Sequence, residues 1–244
     1  MKYLALVLGS VMLVACGGGG TSSAVPTVTV PTVVIDPNLT VPFQTAVANL
    51  VNNGFSKTFT ISGWIDESTI SNPRPPTQIS GSGTFTAGPP SAGTLNGASV
   101  LAVAQVITGS QTANGQSAAF SATGILYFNS SNYTLAGTAA GGVNTLISAH
   151  TYPATVKAGS TGSLGNGTTG GVLPTTSTFT YSVTSDSATS LLVTFIESTY
   201  FPLGGNDQTQ TVYRVDTSGK ITPVSTTIQR YSSGTLYKSL AFTF

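Results

Sequence analysis

From Phe55 to the last residue, apolar side chains tend to alternate with serine and threonine, and a turn signal interrupts the alternation every ten to fifteen residues. FSKTFTISGWI, residues 55–65, sets Phe55, Phe59 and Ile61 on one parity and Ser56, Thr58, Thr60 and Ser62 on the other. Period two is the signature of a half-buried strand, because successive side chains leave a strand on opposite faces. NPRPPT at 72–77, AGPPSAG at 87–93, TANGQS at 112–117 and FNSSN at 128–132 separate strands centred near Thr84, Val103 and Ile125. Asn114-Gly115 is a strong two-residue hairpin signal. After residue 175 the runs STFTYSVTS, SLLVTFIESTYF, QTVYRVD, KITPVSTTIQRY and TLYKSLAFTF follow one another through short turns. Strands joined this tightly pair antiparallel. The expected fold class is all-β, mainly an antiparallel meander forming a sandwich or open barrel.

One segment departs from this pattern. FQTAVANLVNN, residues 43–53, places Phe43, Val47, Leu50 and Val51 at helical spacing and is followed by Gly54. A short amphipathic helix with a glycine stop is predicted there, its apolar side buried against the sheet. GSTGSLGNGTTGG, residues 159–171, reads as a glycine loop by composition. Its GNGTTG matches the dinucleotide-binding glycine pattern in letters, but a proline and a strand follow where that site needs a helix.

The first sixteen residues have a different character. Lys2 precedes an apolar run from Tyr3 to Val14, then a small residue and Cys16, the single cysteine of the chain. Residues 1–15 read as a secretory signal, shorter than the ~20 apolar residues of a spanning helix. Leu13, Val14, Ala15 and Cys16 resemble the lipobox of Gram-negative bacterial lipoproteins, and a tract of four glycines follows. That resemblance implies diacylglycerol on the Cys16 thiol, cleavage before it, and acylation of the new amino group. A single acyl chain anchors only marginally, so the additional chains matter. Gly17 in place of an aspartate implies sorting to the outer membrane, with the protein facing the periplasm or the outside. Residues 16–42 carry glycines, then prolines at 26, 31, 37 and 42. They are expected to be a flexible and then extended tether, with an edge strand in VPTVTVPTVVI as the alternative, leaving residues 43–244 as a single β-rich domain. YPATVKAGSTGSLG and TYSVTSDSATSLLVTFIESTY resemble segments of uncharacterised envelope lipoproteins, a likeness that implies no activity.

Charge narrows the functions further. Charged residues are 6% of the chain, and loss of Lys2 with the leader leaves seven basic against seven acidic side chains. Nucleic acid is therefore not an expected partner. His150, the one histidine, cannot build a multi-histidine metal shell, and no G-x-S-x-G elbow accompanies it. No cofactor, metal or catalytic set is expected, and the protein reads as a non-enzyme. Glu197 and Arg214 are expected to form a cross-strand ion pair. The Asn-x-Ser/Thr sites at Asn38, Asn129, Asn132 and Asn166 read as turns in a bacterial protein. LYKSLAFTF resembles the terminal strand of outer-membrane barrels, but a buried last strand is the preferred reading.

The expected role is an outer-membrane-anchored envelope binding or scaffold domain, whose partners are the membrane through the anchor and an envelope protein, apolar ligand or glycan. The carrier alternative requires an apolar cavity of at least ~300 Å³ under the helix. The glycan alternative rests on Trp64 and Asp66, which share a strand face, whereas Glu67 points the other way.

Overall fold

The computed structural model describes residues 36–68, 74–170, 173–202 and 204–244. The expected signal, Cys16 and the expected tether as far as residue 35 lie outside the described residues. Thr40–Val41 (β1) enters a helix, α1 (Phe43–Asn53), and the chain then continues as strands: β2 (Phe55–Ile65), β3 (Thr77–Ala87), β4 (Ser91–Leu95), β5 (Ala98–Ala113) and β6 (Gln116–Phe128). There follow β7 (Leu135–Ala140), β8 (Val143–Ile147), β9 (Val156–Lys157), β10 (Thr161–Thr169), β11 (Thr176–Ser185), β12 (Ser190–Tyr200), β13 (Asn206–Asp216), β14 (Ile221–Ser232) and β15 (Thr235–Thr243).

Twelve antiparallel strands form a closed barrel. Two long-range pairings close it. β15 runs beside β2, with Phe242 opposite Ile61, and β3 runs beside β5, with Gly83 opposite Gly109. β4 stands outside the ring as a short hairpin partner of β5. The fold is thus all-β with one short helix, and the sheet joins itself where an open barrel would leave edges. Asn114 and Gly115 both take positive φ, 51° and 73°, as a primed two-residue turn requires. Asn96-Gly97 makes a turn with the same signs between β4 and β5.

Strand parity sorts the side chains cleanly. Phe59, Ile61, Ile79, Phe85, Ile107, Leu240 and Phe242 face inward as one buried cluster. Ser56, Thr58, Thr60, Ser62, Ser80 and Ser82 face outward and are exposed. The inward face is crowded enough to need glycine: across β2, β3, β5 and β6 the register runs Phe59, Gly83, Gly109, Phe120. A Cβ on Gly83 would stand 2.6 Å from the Phe59 ring, and one on Gly109 2.9 Å from the Phe120 ring. Two aromatic rings occupy the space that two absent side chains leave.

Residues 159–171 contain a strand, β10, and not the expected loop. Its glycines serve as places for rings. Gly162 lies opposite Tyr181, and a Cβ there would be 2.5 Å from that ring. A Cβ on Gly167 would be 2.9 Å from the Phe179 ring.

A barrel of eight strands is filled by its own side chains, whereas a wider ring encloses more room. Here α1 and the β1–β9 ribbon occupy one mouth. Phe43, fully buried, lies 5.4 to 5.8 Å from the rings of Tyr152, Tyr181 and Phe195. Ala46, Val47 and Val51 are also buried, whereas Leu50 is half-buried. Asn49 donates its side-chain amide to the Gly219 carbonyl at 3.0 Å, and Asn52 donates to the Tyr133 hydroxyl at 3.2 Å. These bonds fix the helix to the β13–β14 and β6–β7 turns. Gly54 ends the helix with φ +59° and its N–H on the Leu50 carbonyl. Leu39 and Val41 are buried too, so the body begins before residue 43, and the last residues of the expected tether belong to the core.

Candidate functional site

Beneath the helix the inward faces leave a cavity of about 110 Å³, lined by Val47 and Leu50 above and mainly by Leu126, Phe128, Phe179 and Phe195 around it. The strand pattern explains its apolar wall: each of these β residues has inward parity. Glu197 reaches the same space. Its register partners are Phe179 on β11 and Thr209 on β13.

Glu197 is half-buried and lines the cavity. The Thr199 hydroxyl donates to its Oε1 at 3.3 Å, and the Thr199 and Ser177 hydroxyls lie 2.7 Å apart. Burial pushes the carboxyl up to about 7, with the charge of Asp207 adding and the Thr199 and Ser177 hydroxyls opposing. Farther along the same lumen Asp207 accepts from Arg230 Nε at 2.7 Å. Lys238 stands opposite Arg230 on β15, and burial, followed by the Arg230 charge, lowers its pKa.

Glu197 and Arg214 do not pair. The β12–β13 register sets Glu197 beside Thr209 and Arg214 beside Leu192. Thr209 and Arg214 are five positions apart on one strand, which places them on opposite faces. Arg214 instead donates to Asp186 on the β11–β12 turn, from Nε at 2.6 Å and from Nη2 at 3.0 Å.

Trp64 and Asp66 lie near the end of β2, on or just past it, away from the helix. Trp64 is half-buried with outward parity, opposite Ser239 and Gln78. The Ser68 backbone N–H donates to Asp66 Oδ1 at 2.8 Å, and the Ser68 hydroxyl and N–H hold the carboxyl below its ordinary range. This carboxylate organises its own turn. His150 shares its Nδ1 proton with the Ser148 carbonyl at 3.0 Å and packs edge-on against Tyr152. GNGTTG spans the end of β10, with Gly170 just past the strand, and the next element is β11. Among the described residues no group of His, Cys, Asp and Glu is placed to hold a metal ion.

Sequence reasoning raised a cavity under the helix only as the carrier alternative, of at least ~300 Å³, and missed the carboxylate that borders the smaller one found. The signal for Glu197 was its parity, shared with Val193 and Phe195 in an otherwise apolar inward row. Compared with family models, with curated proteins and with solved structures, the chain gives no match.

Proposed function

We propose that the chain is an envelope lipoprotein, held at the outer membrane by acyl chains on Cys16, whose barrel acts as a non-enzymatic binding or scaffold body. The lipobox resemblance supports the anchor. The observation that carries the body's role is its polarity: clusters of buried rings and aliphatic chains lie inside the barrel, with Glu197, Asp207, Arg230 and Lys238 beyond them, while hydroxyls such as Thr58, Ser82, Thr108 and Thr178 lie exposed outside. A barrel embedded in lipid needs a continuous apolar outer band, and exposed Ser56, Thr58, Thr60 and Ser62 interrupt the outer face.

The cavity of about 110 Å³ falls short of the ~300 Å³ of a drug-sized ligand pocket, which weighs against a carrier of long acyl chains. Engagement of Asp66 by Ser68 weighs against the glycan reading. The test is metabolic palmitate labelling and fractionation of the parent and Cys16→Ser. Label and membrane association are expected only in the parent, and equal labelling of both would sink the anchor. Saturable binding of a fluorescent fatty acid by the parent would replace the scaffold with a carrier.

A further inference from the structure

The cavity under α1 has a chemistry that packing alone does not require. Its wall is mainly aromatic and aliphatic, with Gln105, Thr209 and Thr211 at intervals, and a carboxyl borders it; Glu197 is an expensive group to hold there unless something hydrogen-bonds to it. The Thr199 hydroxyl reaches Glu197 only at 3.3 Å, and it is also bonded to Ser177 at 2.7 Å. An ionised carboxylate offers about four acceptor positions, more than these hydroxyls fill. Water is a poor occupant of a mainly apolar space, because a buried water needs two to four polar partners.

Size sets the rest. A dry cavity of ~150 Å³ in another protein takes benzene, so about 110 Å³ suits one ring and excludes an acyl chain. The lumen carries Arg230 and Lys238 as well as Asp207 and Glu197, so it has no excess of negative charge to draw a cation. We propose that this cavity binds a neutral single-ring aromatic molecule with one hydrogen-bond donor, its ring among Phe128, Phe179 and Phe195 and its O–H or N–H donated to Glu197. The site is independent of the lipid anchor and of any surface the barrel presents to a partner.

The test is calorimetric titration of the full-length protein with phenol and with benzene. At pH 8, where Glu197 is ionised, the parent is expected to bind both saturably at one site, phenol about ten-fold more tightly, the size expected of one hydrogen bond to a charged acceptor. Glu197→Leu is expected to erase that preference while keeping benzene binding. Leu126→Trp fills the space and is expected to abolish both, and Val47→Phe fills it from the helix side should the first not fold, with near-UV circular dichroism verifying the fold. No saturable binding by the parent, a phenol preference that survives Glu197→Leu, or ring binding that survives in a folded filled variant would each overturn the site.

Discussion

Gly162 and Tyr181 face one another across the β10–β11 pair, and the ring of the tyrosine occupies the volume that a side chain on the glycine would need. Gly162→Ala is therefore expected to destabilise the barrel by about 1–3 kcal/mol, the usual cost of overpacking. Gly170 has open space around it, so Gly170→Ala is expected to be neutral or slightly stabilising. Thermal unfolding of the two variants side by side checks the contrast.

The helix is held unevenly. Phe43 is fully buried among three rings whereas Leu50 borders the cavity half-buried. Phe43→Ala is expected to cost about 3–5 kcal/mol. Leu50→Ala should cost about 2 kcal/mol or less, because its neighbours are already incomplete. A denaturant titration in which Leu50→Ala is the more damaging of the two would contradict this packing.

Glu197 titrates near its ordinary 4.5 in an unfolded chain and near 7 in the barrel. Between those values the folded state binds more proton, so stability from this group is complete below pH 4.5, falls as pH rises through 7 and is level above. The total is about 3.5 kcal/mol at most, from ~1.4 kcal/mol per unit. Glu197→Gln is expected to flatten that part of the stability profile and to leave the variant more stable than the parent at pH 8. A parent profile that rises from pH 5 to 8 relative to Glu197→Gln is the contrary result.

Two arginine–aspartate pairs of similar geometry should differ in weight. Arg214–Asp186 lies on the outside, with the arginine side chain 50% exposed. Arg214→Ala is expected to cost under about 1 kcal/mol and less at high salt. Arg230→Ala would leave Asp207 in the lumen without its main partner, at a cost of roughly 2 kcal/mol or more. Urea midpoints at low and high salt separate the two.

Leu39 and Val41 are core residues, and Val41 pairs with Val156. A chain beginning at Asp36 is expected to match the parent's body in stability. One beginning at Phe43 should lose about 3 kcal/mol or more, at ~1.5–3 kcal/mol per buried aliphatic side chain. Equal melting temperatures for the two would place the body's start where the sequence suggested.

What was legible in the sequence was local. The helix over residues 43–53, β2 over 55–65, the Asn114-Gly115 turn and the five last strands each carry their own period or turn residue. β10 was not legible, because its glycines signal a loop by composition and only Tyr181 and Phe179, ten or more residues away, explain them. Closure was hidden for the same reason. Nothing local in Phe242 or Gly109 announces Ile61 or Gly83 as a neighbour. The parity of Glu197 is legible in β12 itself, but its neighbours Phe179 and Thr209 follow from registers that single strands do not reveal, and the cavity follows from the sum of many such registers.

The pairing of β2 with β15 joins residues 60–65 to residues 238–243. The ring therefore has no finished seam until the final strand has been made and delivered. Contacts this distant in sequence slow folding, since the loop between them must close before they repay it. β3 is sealed early by β2 and β5, but the other edge of β2 stays open until β15 arrives. Losing even β15 would leave two bare edges facing solvent, and C-terminal truncation should thus be more prone to aggregation than its length suggests.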